Sequence, residues 1–143
     1  MNIISYTDGA CSGNPGIGGW GAVIIDEKKK LIFLNGGSKE TTNNQMELTA
    51  VINVLKYFPE AQNITIYTDS KYVMNGIESW ILKWKKNGWK TASKKPVKNK
   101  SLWEELDKQN MKHSIKWNWV KGHAGDKYNE MADNLARKYI ENQ

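Results

Sequence analysis

The sequence predicts an α/β domain with a mixed five-stranded sheet, and three observations predict it. Tyr-Thr-Asp occurs twice, as Tyr6-Thr7-Asp8 and Tyr67-Thr68-Asp69, each time closing an alternating β-like run. Three β-like runs open the chain with no helix between them, whereas later runs alternate with amphipathic stretches. The 143 residues suit one domain, 1–143, large enough to bury roughly two-thirds of the surface of the unfolded chain.

In chain order, Ile4, Tyr6 and Asp8 alternate with Ile3, Ser5 and Thr7, which predicts a first strand from Asn2 to Asp8. The glycine-rich stretch from Gly9 to Gly19 predicts a loop. Trp20 to Ile25 and Leu31 to Leu34, joined by Asp26-Glu27-Lys28-Lys29-Lys30, predict a hairpin. Val51, Val54, Leu55 and Phe58 mark the apolar face of a helix from Asn44 to Phe58, stopped by Pro59, with Glu47 on the inward stripe of its first turn. A second strand follows from Asn63 to Asp69, and Ser70 caps a helix that passes Val73 and Ile77 and continues or restarts through Trp80, Ile81 and Trp84 until Gly88. A helix from Leu102 to Met111 and a strand from Ser114 to Val120 come next. Tyr128, Met131, Ala132, Leu135, Ala136 and Tyr139 form the stripe of a final helix.

No apolar run approaches the roughly 18 residues of a membrane span, and the first residues lack the pattern of a secretion signal, so a soluble cytoplasmic protein is expected. The single Cys11 excludes an internal disulfide, and two distant histidines offer no zinc spacing, so any metal is expected on oxygen ligands. The net charge of +6 favours a polyanionic partner. That charge is concentrated: from Trp80 to Trp103 there is no Asp or Glu, while eight lysines, Lys83, Lys85, Lys86, Lys90, Lys94, Lys95, Lys98 and Lys100, sit among Trp80, Trp84 and Trp89. A cationic, aromatic-studded protrusion at about 80–100 would grip a phosphate backbone without reading bases.

If the two Tyr-Thr-Asp strands lie side by side and parallel, about 4.8 Å apart, Asp8 and Asp69 project at one edge of the sheet, where open α/β sheets carry their sites. Glu47 on an apolar helix face costs several kcal/mol unless it meets a partner or metal, far more than the roughly 0.3 to 1 kcal/mol that helix-dipole complementarity returns. Asp133, beside the stripe of the final helix, is placed to reach the same point. Acids gathered in this way call for divalent hard cations, with Mg²⁺ the natural candidate. Two such ions, roughly 3.5 to 4 Å apart, would clamp an in-line phosphoryl reaction without a protein nucleophile.

Gly16-Ile17-Gly18-Gly19-Trp20-Gly21 matches the dinucleotide pattern G-x-G-x-x-G, but here the glycines open a strand rather than a helix, which excludes a Rossmann site. His123, in Lys121-Gly122-His123-Ala124-Gly125, is either a proton shuttle or an ordinary surface histidine. His113 is given no role. Trp80 and Trp84, spaced i, i+4, suit helix packing as well as ligand contact.

Together these segments resemble a ribonuclease H of the type 1 class over essentially the whole chain, with no appended hybrid-binding domain expected. The resemblance rests on Tyr-Thr-Asp-Gly-Ala-Cys-Ser-Gly-Asn-Pro-Gly at 6–16, Thr-Thr-Asn-Asn-Gln-Met-Glu-Leu at 41–48, Tyr-Thr-Asp-Ser at 67–70, Val-Lys-Gly-His-Ala-Gly at 120–125 and Asn-Glu-Met-Ala-Asp at 129–133. It implies a ribonuclease H-like fold with strand order 3-2-1-4-5 and helices on both faces. It further implies endonucleolytic hydrolysis of the RNA strand of an RNA/DNA hybrid, leaving a 5′-phosphate and a 3′-hydroxyl. Asp8, Glu47, Asp69 and Asp133 then correspond to Mg²⁺ ligands, with Mn²⁺ an alternative, and His123 to a mobile residue assisting catalysis or product release. By the same likeness Gly9, Cys11, Gly13 and Asn43, with Glu47, face the minor groove and 2′-hydroxyls of the RNA strand. Asn14, Thr42 and Asn44 hold the DNA strand, and Trp80 stacks beside its sugar, with Trp84, Lys85, Lys86 and Lys90 in the protrusion.

The chain departs from the pattern at Glu40 and Gln45, where many bacterial members carry arginine, and at Lys71, where glutamine is frequent and where a lysine favours a phosphate over a base edge. A monomer without an obligate protein partner is expected. The alternatives are an integrase- or transposase-like enzyme that cuts DNA, and an inactive hybrid-binding module.

Overall fold

The computed structural model describes residues 2–121 and 126–143. Its five strands, β1 Asn2–Gly13, β2 Gly16–Ile25, β3 Leu31–Thr41, β4 Asn63–Thr68 and β5 Ser114–Trp119, form one sheet in the order β3-β2-β1-β4-β5. The first three pair antiparallel, and β1-β4 and β4-β5 pair parallel, so the sheet is mixed as the sequence predicts. Helices α1 Asn43–Tyr57, α2 Lys71–Asn75, α3 Ile81–Lys86, α4 Lys100–Lys112 and α5 Lys127–Glu141 complete the described chain. None is long and apolar enough to cross a membrane.

Glycines show that α1 and α5 occupy opposite faces. Adjacent strand residues point to opposite sides. A Cβ on Gly18 would strike Met46 of α1, whereas one on Gly19 or Gly21 would strike the backbone of Ala136 or Ala132 in α5. Lacking side chains there, β2 lets α5 lie directly on the sheet. On the other face Leu48, Val51 and Leu55 of α1 pack with Ile24, Ile64 and Ile66 of the sheet and with Trp103 and Leu106 of α4.

Three expectations are corrected, and a fourth is refined. The stretch after Asp8 is not a loop: β1 runs on to Gly13 and β2 begins at Gly16, because glycines that weaken an isolated strand are retained here for close helix approach. β3 continues past Leu34 to Thr41. Glu47 lies in the second turn of α1, since the helix starts at Asn43 with Thr42 as its cap, the Thr42 hydroxyl accepting the N–H of Gln45 at 3.2 Å. The helix after Ser70 does continue, but through a π-helical turn at Gly76–Trp80.

His113, assigned no role from the sequence, is buried and structural. Its Nδ1 accepts the N–H of Gln62 at 3.0 Å, which leaves the proton on Nε2 to be donated to the carbonyl of Leu55 at 2.9 Å. The ring therefore ties the end of α1 to the entry of β4. His113→Ala is expected to destabilise the protein by about 1–3 kcal/mol, because both partners are left unpaired. Urea unfolding followed by circular dichroism checks it.

Candidate active site

Parallel pairing sets Tyr6 opposite Tyr67 and Thr7 opposite Thr68, so the two strands end their contact at the same height. Beyond Thr7, β1 pairs only with β2, with Asp8 opposite Gly21, and space opens on the side that β4 has vacated. Thr68 accepts the N–H of Ser70 at 3.1 Å and Ser70 caps α2 through Val73 N–H at 3.1 Å, which turns the chain sharply and holds Asp69 at the turn. The indole of Trp119 donates to the Asp69 carbonyl at 3.0 Å from the neighbouring strand end.

Glu47 arrives from the α1 face. A Cβ on Gly9 would lie 2.5 Å from the Glu47 nitrogen and 3.0 Å from its Oε1, so only glycine lets α1 approach β1 closely enough. Asp8, Glu47 and Asp69 each offer a carboxylate oxygen, and these lie within 4.8 Å of one another. Asp133, from α5 on the opposite face, lines the same cleft of about 440 Å³. It stands slightly apart, bound to Arg137 one turn later at 3.0 Å.

Electrostatics make the cluster unstable without a cation. Asp8, only 6% exposed, is pushed up from 3.8 to about 8, first by burial and then by the charge of Asp69. Glu47 is raised well above the usual carboxylate range by burial and by Asp8 and Asp69. Its Oε1 is buried with no hydrogen-bond partner among the described residues. A buried oxygen left unpaired beside two further carboxylates fits a hard divalent cation, which all three can ligate through oxygen.

The other predicted residues divide into those at the cleft and those beyond it. Gly9, Asn43, Asn44 and Lys71 line it with the acids, and so do Ser70 and Tyr72. Thr42 caps α1, Asn14 accepts the N–H of Asn43 at 2.9 Å, Cys11 Sγ lies 3.4 Å from the Thr41 carbonyl, and Gly13 closes β1 with φ of 86°. Lys71 is exposed, its Nζ 5.2 Å from the Trp119 ring centre. Trp80 and Trp84 pack in an aromatic cluster: Trp80 meets Tyr72 edge-on at 5.5 Å, and Trp84 meets Trp103 at 5.5 Å. Lys86 and Lys90 are exposed, but Lys85 is paired with Asp107 at 3.2 Å. His123 lies outside the described residues.

Sequence reasoning missed Arg137 as the partner of Asp133, Ser70 and Tyr72 as cleft groups and Trp119 as a support. The i, i+4 spacing of Asp133 and Arg137 carries a signal for the first. No pattern points to Trp119, whose bond spans a sequence separation of 50.

Fold and acid cluster together define a hydrolase of the nuclease class. A family model described as RNase H matches residues 1–141, and the chain belongs to that family. It is 56% identical to the ribonuclease H of Francisella philomiragia, covering 97% of this chain and 91% of that protein. It is 60% identical to the ribonuclease H of Wolbachia pipientis, covering 96% and 94%. The solved structure of LC9-RNase H1, a type 1 RNase H with the type 2 active-site motif, superposes with a TM-score of 0.87 at 30% identity, over 99% of this chain and 73% of that one.

A raised folded-state value means that the folded protein holds these protons more tightly than the unfolded chain. The stabilisation is full below the unfolded value of 3.8 and is lost as pH rises through about 8. In chelator-treated protein, Asp8→Asn is therefore expected to raise the melting temperature relative to wild type by an amount near zero at about pH 4 that grows to a plateau above about pH 8. Paired thermal melts across this range test it, and a gap independent of pH would contradict it.

Proposed function

We propose that the chain is an endonuclease that hydrolyses the RNA strand of RNA/DNA hybrids, leaving 5′-phosphate and 3′-hydroxyl ends. The single observation that carries this reading is the convergence of Asp8, Glu47 and Asp69 within 4.8 Å at the sheet edge, with Asp133 on the same cleft. These four would hold two Mg²⁺ ions, or Mn²⁺ with the same preference for oxygen. Bound there, such ions supply the activation of water and the neutralisation of charge at the departing oxygen.

The chain's own groups bind and orient the hybrid. Gly9 presents bare backbone at the cleft, where with Cys11, Gly13, Asn43 and Glu47 it meets the sugar edge and 2′-hydroxyls of RNA. Asn14, Thr42 and Asn44 hold the DNA strand; Thr42 keeps its hydroxyl proton for a phosphate because as a cap it only accepts. Trp80 adjoins the cleft through Tyr72, and Trp84 stiffens the base of the protrusion whose Lys86 and Lys90 meet phosphates, with Lys71 nearer the acids. His123 moves a proton or aids release of product. The chain acts as a single catalytic domain, 1–143, monomeric and cytoplasmic, without an obligate protein partner.

Incubation with labelled hybrid, duplex DNA and duplex RNA, with and without Mg²⁺, tests the reading; cutting confined to the RNA of the hybrid and dependent on the ion is expected. Cleavage of duplex DNA would favour a strand-transfer nuclease instead. Asp8→Asn is expected to lower kcat more than about a thousandfold, roughly 4 kcal/mol, while hybrid binding stays measurable. Lys86→Ala and Lys90→Ala are each expected to reduce the slope of log K against log salt by roughly 0.7–0.9. Lys85→Ala should change it less, because Asp107 already neutralises that ammonium.

A further inference from the structure

The root of the lysine-rich segment is tied to the start of α1 by a relay of side-chain hydrogen bonds that the acid chemistry does not use. Thr41 Oγ1 donates to Gln45 Oε1 at 2.8 Å, and Gln45 Nε2 donates to Asn99 Oδ1 at 3.0 Å. Asn99 Nδ2 donates to the Tyr72 hydroxyl at 3.1 Å, which also accepts the Trp103 indole N–H at 3.0 Å. Three pieces of chain far apart in sequence thus meet through both ends of two amides.

Asn99 is the informative member. It occupies the cap position of α4, where an asparagine ordinarily accepts an N–H of the first turn, yet its side chain makes no capping bond. Its backbone is left-handed, with φ of 59°, a conformation that asparagine tolerates better than most residues. The side chain is thereby turned away from its own helix and into the relay. Two residues before it, Val97 is buried, and its N–H bonds to the Trp89 carbonyl at 3.2 Å, closing the lysine-bearing turn on itself. At the other end of the relay, Tyr72 lines the acid cleft and Gln45 stands two residues before Glu47 on α1.

We infer that Gln45 and Asn99 are positioning residues that latch the protrusion at a fixed offset from the acid cleft, so that one hybrid engages both at once. The inference rests on the hybrid-nuclease reading above. Two anchored sites on one rigid duplex gain affinity only when their spacing is held, so the latch sets a preference for hybrids long enough to span both. A role confined to stability would weaken all substrates alike.

The test compares Gln45→Met, which keeps shape and removes both bonds, with Asn99→Gly, which suits the left-handed backbone and removes the side chain. Hybrids of about 6 and about 18 base pairs, roughly 20 and 60 Å at about 3.4 Å per step, serve as substrates with Mg²⁺. Both variants should raise KM for the long hybrid about fivefold with kcat within about twofold, and leave kcat/KM for the short one within about twofold. Amide exchange at Val97 and Lys100 should accelerate in both variants without a matching loss of global stability. An equal effect on both lengths, no effect on either, or unchanged exchange would overturn the latch. Wild-type protein that leaves both hybrids uncut would instead overturn the hybrid-nuclease reading, and the exchange experiment would still decide whether the relay fixes the protrusion.

Discussion

Because β1 and β4 run parallel in register, the carboxylates of Asp8 and Asp69 leave the sheet at the same height and within one cavity. Everything else at the site answers to that constraint. Two acids so placed repel, and burial sharpens the repulsion by removing the water that would screen it. The arrangement persists because the strands carrying it are locked on both sides, β1 by β2 and β4 by β5, over their whole paired length.

The remaining acids come from opposite layers of the molecule, Glu47 from the α1 face and Asp133 from the α5 face. Their meeting requires both helices to lie unusually close to the sheet, and glycines at the contact lines allow it. Such glycines weaken the strands locally, and the loss is offset by the dense apolar layer between α1, the sheet and α4. Stability and site chemistry are thus separated in space: the acid edge is strained, the opposite end is tied down by His113.

The strand-ending acids are legible in the sequence because Tyr-Thr-Asp repeats with the alternation of a strand, and a period of two survives translation into structure. The stripe of α5 is legible for the same reason at a period of 3.6. The stretch from Gly9 to Gly19 misleads, since local preference sees turn formers where sheet pairing and helix contact decide. Trp119 and His113 could not be assigned, as their partners lie 50 to 58 residues away and leave no local pattern. Asn99 reads as an ordinary polar residue and Gln45 only as a departure from the family pattern until the fold brings them together.

The placement of Asp133 on α5 has a temporal consequence. During synthesis the sheet strands and α1 emerge before α5, and domains begin to organise from the N-terminal side as they are made. Glu47, Asp8 and Asp69 can therefore assemble on the ribosome while the fourth carboxylate is still to come. A nascent chain would lack Asp133 and the α5 layer throughout that interval, and the wall of the cleft is completed only when its late helix docks.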